Sequence, residues 1–143
     1  MAIVSTLSNH YKYQKMAGAI DHVNDTFKII LMNTTFAFDK DAHATLADVS
    51  ADELATNYGY TQQNKALSGG TLTEDDTGDK AYRTFDSVSW VASDGSIGPT
   101  GAAIIYDDTT SDKTVVGCID FGADFTIPDG SSFLLQDIQI ENT

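Results

Sequence analysis

Asp39, Asp41 and His43 lie two residues apart. On an extended loop all three side chains would face one way and offer two oxygens and a nitrogen to a divalent ion. Nothing nearby completes the set, and no metal is assigned. Asp75, Thr77 and Asp79 match the opening of a calcium loop. Lys80, however, stands where that loop needs glycine, and no glutamate closes it at the twelfth place, which excludes an EF-hand. Asp107, Asp108 and Asp112 could hold calcium in a loop of another type, but they read better as a solvated turn. Gly95-Ser96-Ile97-Gly98 is one residue short of a nucleophile elbow. His10, His22 and His43 all fall in the first third, with no base-and-nucleophile spacing, and no glycine-rich loop leads into a lysine. Carboxylate pairs abound in so acidic a chain and discriminate nothing. We read a chain that is not an enzyme and carries no cofactor.

Binding is the remaining class of chemistry. Six tyrosines and one tryptophan suit stacking on sugar rings, and Tyr58, Tyr60 and Tyr82 are the residues expected to be exposed for a glycan-binding alternative. The net charge of −13, from 8 basic and 21 acidic residues, repels phosphate backbones and anionic lipid, so neither nucleic acid nor membrane is an expected partner.

The elements that must position these residues follow from pattern. At 143 residues, with 41% hydrophobic and 20% charged, the chain predicts one domain over 1–143 with a core of its own. Cys118 is the only cysteine, so no internal disulfide forms. Met1–Leu7 has no basic start of a secretory signal, and the longest apolar run, Ala102–Tyr106, is too short to span a bilayer; synthesis in the cytosol is expected. A helical segment is predicted over about 8–20, with Ser8 as N-cap and Tyr13, Met16, Ala17 and Ile20 on its apolar face. Thr26–Met32 is a strand. Ser50 to Glu53 has capping-box form and predicts a helix at 51–56, and Ala42–Asp48 offers a further helical turn.

Beyond these lie an exposed strand at Tyr58–Leu67, a turn at Gly69-Gly70, and a strand Tyr82–Val91 bent at Asp86. Ala102–Tyr106 and Thr114–Phe121 form a central hairpin around the polar link Asp107–Lys113. Alternation puts Val115, Ile119 and Phe121 on one side of its second strand and Val116, Cys118 and Asp120 on the other. Ser132–Glu141 ends the series, with Leu134, Ile138 and Ile140 together. Six or seven strands with one or two short helices in the N-terminal half predict a mainly β fold, an antiparallel β-sandwich of jelly-roll or Ig-like type.

Three stretches carry a resemblance: SNHYKYQKMAGAID at Ser8–Asp21, TFKIILMNTTFAFDKDAHATLADVSADELATNYGYTQ at Thr26–Gln62, and SIGPTGAAIIYDDTTSDKTVVGCIDFGAD at Ser96–Asp124. Over nearly its whole length the chain resembles small virion structural proteins of tailed bacteriophages. That resemblance implies a protein assembled in the host bacterial cytoplasm and located in the virion. Its role there would be a capsid decoration (cement) protein that binds the major capsid lattice as a homo-oligomer, a trimer by preference, and stabilises the head. A head–tail junction or tail/fibre component is the alternative in the same setting, and a glycan- or receptor-binding module the alternative outside it. The expected lattice contacts are Ser5, Leu7, His10, Tyr11, Lys12, Tyr13, Lys15 and Met16 of the N-terminal segment, with Phe38, Asp39 and Lys40 of the loop 35–48.

Overall fold

The computed structural model describes residues 2–142. Its centre is a long antiparallel hairpin of β-branched and aromatic residues, joined by the polar link that the sequence predicts. In chain order the elements are β1 (Ala2–Ile3), β2 (Thr6–Leu7), α1 (Asn9–Met16), β3 (Phe27–Met32), α2 (Leu46–Val49), β4 (Leu72–Asp75), β5 (Lys80–Phe85), β6 (Val88–Val91), β7 (Ile97–Asp107), β8 (Val115–Ile127), β9 (Ser132–Leu135) and β10 (Ile138–Asn142). One sheet runs β2-β8-β7-β3 and a second runs β1-β10-β5-β4, while β6 and β9 form a two-stranded ribbon. The two sheets pack as a β-sandwich.

Alternation along β3 decides the layering. Phe27, Ile29 and Leu31 point into the core between the sheets, and Ile30 and Met32 point into a second core on the outer face. Ala103 and Ile105 of β7 join the first, and Ile104 and Tyr106 the second. The β2-β8-β7-β3 sheet is therefore buried on both faces, which is why its strands read as nearly continuous apolar runs. The second core is roofed by Val49 and Leu46 of α2 and by Phe36 and Phe38. Each such side chain taken fully out of water contributes roughly 1.5–3 kcal/mol relative to exposure.

Several boundaries differ from the sequence reading. Val115 and Cys118 face the outer core while Val116 and Ile119 face the inner one, because the pairing slips between Ile105–Gly117 and Tyr106–Val115. A bulge of this kind resets the alternation that strict period two would impose. Tyr82–Val91 is two strands, as is Ser132–Glu141, the latter divided at Asp137, whose φ is +55°. The breaks face each other. Phe85 pairs with Ile138 before them and Val88 with Leu135 after them, in one unbroken register, so β5-β6 and β9-β10 are a single ribbon bent out of the sheet. Leu134 consequently lies exposed and Leu135 buried. Tyr58–Leu67 is no strand, being held only by isolated bridges such as Asn57–Tyr60 and Lys28–Ala66. The predicted helix at 51–56 is a single 3₁₀ turn, Ser50–Asp52. The capping arrangement falls earlier, where the Asp48 carboxylate accepts from the backbone N–H of Ala44 and Thr45 and starts α2. Those hydrogen bonds hold its carboxyl below the usual range.

Candidate docking face

Ser8 fixes the N-terminal helix at both levels. Its hydroxyl accepts from Tyr11 N, as an N-cap should, and its own N–H donates to Val116 O, pinning the helix start to β8. The helix is shorter than predicted, ending at Met16, and Gly18 turns the chain away at φ +80°. Its core residue is Tyr11, 1% exposed, whereas Tyr13 and Met16 are 66% and 92% exposed. Of the predicted apolar face, Tyr13, Met16 and Ala17 are exposed, while Ile20, beyond the helix, packs against the core. Asn9, Lys12, Tyr13 and Met16, at i, i+3, i+4 and i+7, form the outward stripe, and all four are exposed.

The inward side is tightly bonded. The Tyr11 hydroxyl and His22 Nε2 share a hydrogen bond of 2.6 Å. Lys15 Nζ lies 4.7 Å from the Tyr11 ring centroid and donates to Asn142 Oδ1. His22 stacks on Phe27, with ring centroids 5.0 Å apart, and its Nδ1 is buried without a partner. Burial, reinforced by the charges of Lys15 and Arg83, pulls the His22 imidazole down to about 4, so it stays neutral. His10 donates from Nε2 to Asp112 Oδ2 at 2.7 Å and stacks on Tyr13. Partial burial opposes ionisation of Asp112, but hydrogen bonds from Thr114 and His10 outweigh it and hold the carboxyl low.

The loop 35–48 is brought against this helix. Asn9 N donates to Lys40 O at 3.0 Å, and the Asn9 side-chain amide bonds Asp41. Two segments separated in sequence thus present one end of the molecule. Next to it a cleft of about 370 Å³ opens between the N-terminal strand and the loop, lined by Ser5, Phe36, Phe38, Asp120 and Asp124. Cys118 closes its floor, and burial pushes that thiol up to about 12, leaving it protonated.

Of the predicted contact residues, Ser5, Lys12, Tyr13, Met16, Asp39 and Lys40 are exposed, and Leu7, His10, Lys15 and Phe38 are partly so. Tyr11 is not available to any partner. The glycan set does not assemble. Tyr60 is buried, donating to Glu53 Oε2 at 2.7 Å and accepting from Leu31 N, while Tyr58 and Tyr82 stand on different elements. Asp39, Asp41 and His43 do not align either. The loop turns back on itself, with Asp39 Oδ1 accepting from the N–H of Asp41 and Ala42, and His43 Nδ1 from that of Asp39. Asp107, Asp108 and Asp112 are each engaged separately: Asp108 lies between Lys28 and Lys113, and Asp107 is buried. Among the described residues, no group of three His, Cys, Asp or Glu side chains is placed to hold an ion.

One feature escaped the sequence reading. Six of the eight cations are occupied internally: Lys15 on Asn142, Lys28 and Lys113 on Asp108, Lys65 on Ser89 O, Lys80 on Glu141, and Arg83 on the carbonyls of His22, Gly69 and Thr84. Among the described residues, Lys12 and Lys40 alone form no such bond, and both lie at the helix–loop end. No family model matches this chain, and neither the curated proteins nor the solved structures contain a match.

Proposed function

We propose that this chain is a virion structural protein of a tailed bacteriophage, a decoration protein that binds the major capsid lattice and stabilises the head by bridging adjacent capsomers. It acts by presenting a surface and transforms no substrate. The observation that carries this reading is the concentration at one end of what a docking face needs: uncommitted lysines at positions 12 and 40, exposed apolar side chains at Tyr13 and Met16, and a cleft with aromatic walls. Among the described residues, the other cations are hydrogen-bonded or ion-paired within the molecule. The lattice side is assigned to the arm and loop, Ser5 with Phe38, Asp39 and Lys40. Many copies on a repeating lattice make a modest contact effective through avidity.

Lys40→Glu with Phe38→Ser tests the assignment. The variant folds as the parent does but no longer adds to heads emptied of the protein, whereas undiminished addition refutes the assigned contacts. A tail or neck component, the second reading in this setting, would appear in the particle at a few to a few dozen copies.

A further inference from the structure

Lys12, Tyr13 and Met16 form an outward stripe that combines one uncommitted positive charge with two large exposed apolar side chains. Among the described residues, none covers Tyr13 or Met16, which are 66% and 92% exposed. The β4-β5 hairpin carries the opposite character. Leu72, 52% exposed, opens a broad groove lined also by Glu74, Asp76, Asp79, Ala81 and Lys80, whose charge is paired with Glu141. Among the described residues, Glu74, Asp76 and Asp79 make no side-chain hydrogen bond or ion pair. The inward side of α1 meets the hairpin in a shallow hollow lined by Tyr11, Lys15, Leu72 and Tyr82.

We infer that the outward face of α1 docks into the β4-β5 groove of a second copy of this chain, Lys12 against the groove's carboxylates and Met16 and Tyr13 against Leu72. Charge complementarity selects this occupant. The protein carries −13, so two copies repel wherever their surfaces meet at random, and α1 against this groove joins an uncommitted cation to uncommitted anions. The contact is heterologous. Each copy supplies one helix face and one groove, so a closed ring leaves neither patch exposed. This inference rests on the reading of the helix–loop end as a docking face. It divides that end, giving the α1 stripe to a neighbouring copy and the arm and loop to the lattice.

The experiment is the mass of the purified protein by sedimentation equilibrium across a concentration series. We expect a reversible oligomer. Lys12→Glu and Asp76→Lys should each weaken it by roughly tenfold or more in dissociation constant, with unchanged circular dichroism. Mixing the two variants should give tighter association than either alone, because the helix of one against the groove of the other again joins opposite charges. A wild-type protein that stays monomeric throughout, or an oligomer indifferent to Lys12→Glu and Met16→Ser, overturns the inference. So do two variants that fail to complement. None of these results touches the lattice assignment, which is read separately by addition of the Lys40→Glu, Phe38→Ser variant to emptied heads.

Discussion

The Tyr11 hydroxyl and His22 Nε2, 2.6 Å apart, join α1 to the segment that enters β3, and His22 in turn stacks on Phe27 in the core. The helix is thereby seated on the sandwich by a bond to a buried, neutral imidazole. Tyr11→Phe removes the hydroxyl and leaves His22 without its partner on a buried nitrogen. A loss of about 1–3 kcal/mol is expected in urea-melting experiments, and Tyr11→Ala, which also empties the core position, should cost more, about 3–5 kcal/mol.

Burial of His22 also makes stability depend on pH. The folded His22 titrates at about 4, below its ordinary 6.5, so the unfolded chain binds more protons between those values. Its contribution is complete above about 6.5 and is lost as the pH falls toward 4. Asp107 runs the other way. Its carboxyl is fully buried with Oδ2 unpartnered, and burial together with the neighbouring Asp25 pushes it up to about 7. Its contribution is complete below about 3.8 and is lost as the pH rises toward 7. The two slopes oppose each other through the shared window. Asp107→Asn should therefore be more stable than the parent at pH 8 and should show a steeper loss of stability on acidification between pH 6.5 and 4. Equal slopes in both proteins would contradict the His22 and Asp107 assignments.

Gly117 sets how closely the N-terminal arm approaches β8. A Cβ there would lie 2.3 Å from Thr6 O and 2.6 Å from Val4 Cγ1. Backbone cannot yield as a flexible side chain would, so Gly117→Ala should displace β2 and cost about 1–3 kcal/mol. Hydrogen exchange would locate the damage at Ser5 and Ser8, whose N–H groups donate to Cys118 O and Val116 O. Gly122→Ala is the control: no atom lies within 4 Å of its Cβ, and only the cost of φ +81° is expected, about 1 kcal/mol.

Ser8→Ala isolates the cap. The side chain is buried and accepts from Tyr11 N, so its loss should cost about 1 kcal/mol and fray the first turn of α1. Lattice binding should weaken with it, since Asn9 N holds Lys40 in place from that turn. Binding that survives a frayed α1 would separate the helix from the loop contact.

The hairpin β7-β8 and strand β3 were legible because long apolar runs bounded by polar links have few other solutions. What misled was local. The slip beside Gly117 exchanged Val115 with Val116, and Asp137 at positive φ exchanged Leu134 with Leu135. In the helix, the spacing of Tyr13 and Met16 is equally that of a core-facing stripe and of a partner-facing one, and only the burial of Tyr11 tells them apart. The isolation of Lys12 and Lys40 has no signature in sequence, because it depends on where the six other cations find their partners.

Copy number in the purified particle tests the central claim most directly. Quantitative mass spectrometry of intact virions should find this chain in a fixed ratio to the major capsid protein, at hundreds of copies per head, and should find it on isolated heads freed of tails. Its absence from virions, or its presence only at the few to few dozen copies of a neck or tail ring, would contradict a role on the capsid lattice.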